Sequence, residues 1–323
     1  MAYIAFFDML GTRSSASMGE KEYEYAIYDF HKAIQEVNNG IINSEIYAYS
    51  DNAYVQIETL NDAISFFRRL RKRLLFKHRY FSAALDEGTL NAKLSNFGKS
   101  SSSMIFTSPE TIKVYLAQSR FSGIGITLSE TVINNLNNLD DLERSFCFSI
   151  FQPKPEQNVI EQFDNLFDIA YDPVGLDELR YVIADYVTTS VMNKRAGRYY
   201  ITPIISMIKC LDKNTIMENL ENLVLLITFQ SLPFAFKSEG TDKSYPILFV
   251  FSLIEAVLTL GENDLSVDST DICEQIIRRC RITSEVMIGK LSAMPVGVIS
   301  NTHKRKFMQI LFSMERDKQG SDF

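Results

Sequence analysis

Two aspartates, Asp8 and Asp51, are the residues of this chain best placed to do chemistry. Asp8 closes the apolar and aromatic run Tyr3-Ile4-Ala5-Phe6-Phe7 and is followed by Met9-Leu10-Gly11-Thr12. Asp51 sits in Tyr49-Ser50-Asp51-Asn52-Ala53-Tyr54-Val55, 43 residues further on (51 minus 8). A carboxylate at the end of a buried strand is costly unless its charge is compensated. For two on neighbouring strands a divalent metal compensates both. Magnesium takes one or two carboxylates together with substrate phosphates in preference to an all-protein cage. The chemistry predicted is phosphoryl or nucleotidyl transfer. Each aspartate taken singly also reads as a turn or N-cap residue. The pair, at this spacing and strand order, points to metal.

The elements that must position these residues are legible around them. Ala2–Asp8 reads as a strand. Tyr23, Ala26, Ile27, Phe30, Ile34 and Val37 recur at helical spacing, which predicts an amphipathic helix over Glu20–Asn38. Glu45–Tyr49 and Tyr54–Glu58 read as strands joined through the turn Ser50-Asp51-Asn52, a hairpin with Asp51 at its tip. A second helix follows over Asn61–Phe76, then a strand over Tyr80–Leu85 and a Gly/Ser-rich loop over Asn96–Ser103. A third helix over Pro109–Arg120 has proline at its start. A short strand over Gly125–Leu128 leads to a further helix from Ser129. This order predicts an α+β fold, a mixed sheet with helices on one side.

The 323 residues are too many for one compact core and predict two domains, 1–172 and 173–323. The boundary follows from Pro153-Lys154-Pro155 and Asp172-Pro173, beyond which apolar residues keep a helical period. Helices are predicted over Leu176–Lys194, Thr202–Leu211, Thr215–Gln230, Pro246–Leu260, Ser269–Leu291 and Thr302–Arg316, an all-helical domain with no assigned job. Pro246–Leu260 is shorter than the ~20 apolar residues a membrane span needs and carries Glu255, so it reads as a core helix. The chain starts directly in a strand with no basic leader. The four cysteines and three histidines lack metal-ligand spacing. A net charge of −7 argues against nucleic acid or anionic lipid as the main partner. The basic run Arg68-Arg69-Leu70-Arg71-Lys72-Arg73 reads as an exposed helix face, without the interleaved aromatics of a base-stacking surface. A cytoplasmic protein is expected.

The two aspartate motifs resemble those of class III nucleotide cyclases. That family's first strand ends in Asp-aliphatic-x-Gly-Phe-Thr, and its later hairpin carries Gly-Asp between apolar strands. Tyr80–Gly88 and Gly123–Thr131 resemble, more distantly, two later strands of the family, so the likeness covers about residues 2 to 135. It implies that Asp8 and Asp51 hold two Mg²⁺ or Mn²⁺ ions, that the backbone around Met9, Leu10, Gly11 and Thr12 holds a triphosphate, and that the enzyme is a homodimer with shared sites. Two departures stand out: Gly11-Thr12 lacks the intervening Phe, and Ser50-Asp51 replaces Gly-Asp.

Four residues before the second aspartate, adenylate cyclases carry Lys and guanylate cyclases carry Glu; here the position is Tyr47. A tyrosine shrinks the pocket and suits a smaller base, a departure that resembles the Pycsar-type pyrimidine cyclases of bacterial antiviral defence, the uridylate-making members above all. UTP is the substrate this implies. The family's transition-state Asn/Arg pair has no clean counterpart. Its helix corresponds to Pro109–Arg120, which offers Lys113, Gln118 and Arg120, with Lys113 and Arg120 the candidates taken; Lys154 is a further loop cation. Two rivals stay open: a palm-type polymerase or dinucleotide cyclase, and a catalytically dead cyclase-like dimerising sensor.

Overall fold

Residues in β1 (Tyr3–Leu10) alternate between two different environments, and that alternation organises the N-terminal half. Tyr3, Ala5, Phe7 and Met9 face one core and Ile4 and Phe6 face another. The structure, a computed structural model, describes residues 2–11, 19–41, 43–96, 102–120, 123–136, 147–153, 163–169, 174–231 and 245–320. After β1 come α1 (Glu20–Asn38), β2 (Ser44–Tyr49), β3 (Asn52–Ile57), α2 (Leu60–Leu75) and β4 (Tyr80–Glu87). Then follow β5 (Ala92–Asn96), β6 (Ser102–Phe106), α3 (Pro109–Arg120), β7 (Gly125–Leu128) and α4 (Glu130–Asn135). Strands β2-β3-β1-β4-β7 form one sheet in that spatial order, antiparallel except for the parallel pair β4–β7. The architecture is the expected α+β mixed sheet, but helices cover both of its faces, where packing on one side was expected.

The first face of the sheet is covered by α1 and α2. Phe7 is fully buried and meets Phe30, Phe66, Phe67 and Phe81 with ring centroids 5.7, 6.1, 5.7 and 5.9 Å away. Burying one such ring is worth about 1.5–3 kcal/mol. Thr59 caps α2 by accepting from the Asp62 amide at 3.1 Å. Arg71 of the basic run is buried, and Arg73 and Lys77 face Glu36 and Asp29 of α1 at 3.5 and 3.9 Å. Part of the run therefore serves packing between the two helices. The second face receives α3 together with Leu90 and Phe106. Strands β5 and β6, paired with each other, flank the stretch expected to be a loop, whose residues 97–101 lie outside the described residues; Ala92 faces Phe106 and Asn96 faces Ser102 in register. Strands β8 (Cys147–Pro153) and β9 (Phe163–Ile169) form a separate two-stranded sheet.

The chain divides into two units, residues 1–148 with 167–172, and residues 149–166 with 173–323. In the second unit, α5 (Leu176–Met192), α6 (Lys194–Gly197), a 3₁₀ turn (Arg198–Tyr200), α7 (Ile201–Lys209) and α8 (Lys213–Ile227) precede α9 (Tyr245–Asn263). The apolar residues of α9 are largely enclosed within this unit, as in a core helix, although its length and composition alone would allow it to cross a membrane. The single helix expected over Ser269–Leu291 is two, α10 (Ser269–Cys280) and α11 (Ser284–Leu291). Arg281 adopts a left-handed φ of 57° and ends the first; Thr283 accepts from the Val286 amide and starts the second. The last helix, α12 (Asn301–Gly320), is tied to α9 through His303, whose Nδ1 lies 2.8 Å from Glu255 and Nε2 3.2 Å from Glu262.

Candidate active site

The register of the sheet places Asp8 in a polar row that crosses all five strands. Tyr49 of β2 faces Asn52 of β3, Asn52 faces Asp8 of β1, Asp8 faces Ser82 of β4, and Ser82 faces Gly125 of β7. The next row on the same face is Tyr47, Tyr54, Phe6, Ala84 and Thr127, which is mostly aromatic and apolar. Asp8 thus stands where an apolar sheet face turns polar, at the end from which the chain leaves through Gly11.

Asp51 arrives beside it through the hairpin. Tyr49 pairs with Asn52, so only Ser50 and Asp51 form the loop, and Ser50 takes the left-handed φ of 51° that so tight a turn needs. The Met9 amide donates to the Asp51 carbonyl at 2.7 Å, joining the backbones of the two aspartate motifs directly. Helix α1 holds the tip from the other side. Tyr23 Oη and Ser50 Oγ are 2.8 Å apart, and His31 Nε2 is 2.8 Å from the Ser50 carbonyl. Neither clamp residue had a sequence signal, because only the sheet register brings α1 to the tip.

The other candidates are placed as follows. Met9 buries its side chain in the first-face core and spends its amide on Asp51, so it joins the two aspartates and that N–H cannot face a phosphate. Gly11 has φ 85°, a left-handed turn that suits glycine, and among the described residues nothing lies within 4 Å of the position of a Cβ. Thr12 and Lys154 lie outside the described residues. Tyr47 sits on the Asp8 face, its ring 5.7 Å from Phe106 and edge-on to it, and its hydroxyl donates to Glu45. That bond, more than burial, raises the Tyr47 pKa, so the phenol stays neutral. Lys113 and Arg120 are both exposed on α3. Gln118, from the same helix, does reach the polar row: its Nε2 donates to Ser82 Oγ at 2.6 Å, in the interior. Ser82 had a signal in sequence, as a lone hydroxyl in the apolar run Tyr80–Leu85, where a buried polar group needs a partner.

The residues present suit a hard divalent cation. The backbones that carry the two aspartates meet at one end of the sheet, and Asn52 Oδ1, next to Asp51 in sequence and opposite Asp8 in register, is a buried acceptor with no hydrogen-bond partner. Among the described residues no group of three His, Cys, Asp or Glu could form a cage. An oxygen set of this size matches Mg²⁺ or Mn²⁺ completed by substrate phosphates and water.

No family model and no curated protein matches the sequence. Solved structures do resemble the fold. The guanylyl cyclase Cya2 is 14% identical, with a TM-score of 0.36, over 53% of this chain and 91% of its own. The adenylyl cyclase CyaB from P. aeruginosa is 11% identical, with a TM-score of 0.36, over 52% of this chain and 93% of its own. The guanylate cyclase domain of RhGC from Catenaria anguillulae, in complex with GTP, is 10% identical, with a TM-score of 0.34, over 51% and 92%. The likeness is one of fold, and the chemistry below rests on this chain's own residues.

Proposed function

We propose that residues 1–172 form a nucleotide cyclase that converts a pyrimidine nucleoside triphosphate, UTP, to the 3′,5′-cyclic monophosphate and pyrophosphate. The observation that carries this reading is the union of Asp8 and Asp51 at one end of the sheet through the 2.7 Å Met9–Asp51 backbone bond. In the reaction the ribose 3′-oxygen bonds to the α-phosphorus, the bond from α-phosphorus to the bridging oxygen breaks, and the 3′ proton leaves to water. Two divalent ions held by Asp8 and Asp51 would acidify the 3′-hydroxyl and neutralise the departing pyrophosphate. The open turn at Leu10–Gly11 gives the triphosphate its path past β1.

Tyr47 supports the choice of base. Its hydroxyl proton is committed to Glu45, so its oxygen presents acceptor lone pairs. An acceptor there matches the N3–H of uracil and opposes the bare N3 of cytosine. Its ring fills volume that a purine would need.

A shared site fits the placement of the cations. Lys113 and Arg120 are exposed on α3, beside an apolar stripe of Ile112, Tyr115 and Leu116 that is 61%, 48% and 43% exposed. A second copy of the chain covering that stripe would bring its own cations to the neighbouring Asp8 face. The resemblance further implies a cytoplasmic enzyme whose product signals in bacterial antiviral defence.

The deciding experiment incubates the full chain with each of the four nucleoside triphosphates and Mn²⁺ and separates the products by chromatography. Cyclic UMP as the main product is expected, with Tyr47→Ala slower and less selective. Chiefly cyclic AMP or cyclic GMP overturns the pyrimidine assignment. A dinucleotide or polymer favours the palm-type rival, and no product from any substrate favours the sensor.

A further inference from the structure

We infer that Ser82 and Gln118 form a positioning pair that holds the Asp8 carboxylate in its metal-binding orientation, an inference that rests on the two-carboxylate reading above. Ser82 and Gln118 are 1% and 8% exposed, and Gln118 Nε2 donates to Ser82 Oγ at 2.6 Å. Two polar side chains shut inside a largely apolar face are costly unless fully used. A serine hydroxyl that accepts one bond still has its own proton to donate. The residue directly across the strand pair from Ser82, on the same face, is Asp8. Gln118 therefore fixes the rotation of the hydroxyl, and the hydroxyl fixes the carboxylate. This is the role that outer-shell donors play for metal-ligating groups, whose loss typically costs 10–100-fold in affinity or activity.

The arrangement gives α3 two jobs. Its inner face supplies Gln118 and Val114 to the Asp8 side of the sheet, Tyr115 leans its ring on Phe6 at 5.3 Å while staying half exposed, and the outer face carries Ile112 and Leu116. Whatever moves α3 also moves the group that orients Asp8.

Metal affinity tests this without relying on turnover. Mn²⁺ is titrated into the full chain, and free ion is followed by the loss of its aqueous paramagnetic resonance signal. Wild type is compared with Ser82→Ala, Gln118→Leu, the double variant and Asp8→Ala. Each single variant is expected to weaken Mn²⁺ binding about tenfold, with the double variant no weaker than the worse single one, because the pair acts as a unit. Gln118→Leu keeps the side-chain volume and stands in if Ser82→Ala folds poorly. Unchanged Mn²⁺ affinity in either folded single variant overturns the pairing role, as does additive loss in the double variant. Wild-type Mn²⁺ binding that does not depend on Asp8 overturns both this inference and the metal site. Asp8-dependent binding without any cyclic product overturns the cyclase reading alone and leaves the pairing role to be decided by the variants.

Discussion

At the scale of the residue, the site is a contrast between neighbours that share a strand. Phe7 and Asp8 are adjacent, yet one is sealed among four phenylalanines and the other stands in a polar row. Replacing Asp8 or Asp51 with alanine is expected to cut turnover by at least about 10²–10³-fold, the usual loss when one electrostatic stabiliser is removed from a reaction centre. Without metal the two carboxylates repel each other, so neither variant is expected to melt below wild type. Calorimetry alongside steady-state assays with Mn²⁺ checks both halves. Near wild-type turnover at saturating metal in either variant would remove that aspartate from the site. The sequence showed these two residues because each interrupts an apolar strand. Tyr23, His31 and Asn52 stayed hidden, since a clamp or an orphan acceptor exists only once the register is known.

At the scale of the element, β1, α1, the β2–β3 hairpin and α3 were legible from an apolar run, helical spacing, turn residues and a leading proline in turn. Other elements were missed, among them the β5–β6 pair and the break in a late helix. The strands of the β5–β6 pair are five residues each and flank the Gly/Ser-rich stretch, whose composition was all that stood out there. The break between α10 and α11 rests on Arg281 entering a left-handed conformation that side-chain type alone does not announce. Helix α3 is the element on which assembly turns. Its stripe of Ile112, Tyr115 and Leu116 is too exposed for a helix with nothing to cover. Leu116→Asp is expected to weaken self-association about 30-fold, the effect of losing a ~2 kcal/mol hot spot, and to lower turnover in step with the dimer fraction. Sedimentation at several concentrations measures it. A variant that stays dimeric, or a wild type fully active as a monomer, would place the site within one chain.

At the scale of the molecule, the helical unit has its own electrostatic design, separate from the chemistry of the sheet. Lys209 Nζ donates to the Gly297 carbonyl at 2.5 Å, and burial pushes its pKa down to about 8, with Glu255 opposing that shift. A lysine exposed by unfolding titrates near 10.5. Below about pH 8 both states are charged, and the native state bears the whole cost of desolvation. Between the two values the native lysine has already lost its proton while the unfolded one keeps it, so the unfolded state binds more protons and stability rises with pH. Urea unfolding of wild type and Lys209→Met across that window should show the rise in wild type only. Parallel curves would mean that Lys209 is neutral or solvated throughout.

The alternation of β1 has a consequence for how the chain finds its fold. Sliding β1 by one residue would keep every backbone hydrogen bond of a strand while exchanging its two faces. Phe7 would then leave the aromatic core, and Asp8 would enter the space between Phe30, Phe66, Phe67 and Phe81. A bare carboxylate in that setting costs several kcal/mol, far more than a misplaced apolar residue would. The aspartate proposed to hold metal therefore also works as a proofreader of assembly, rejecting the slipped strand.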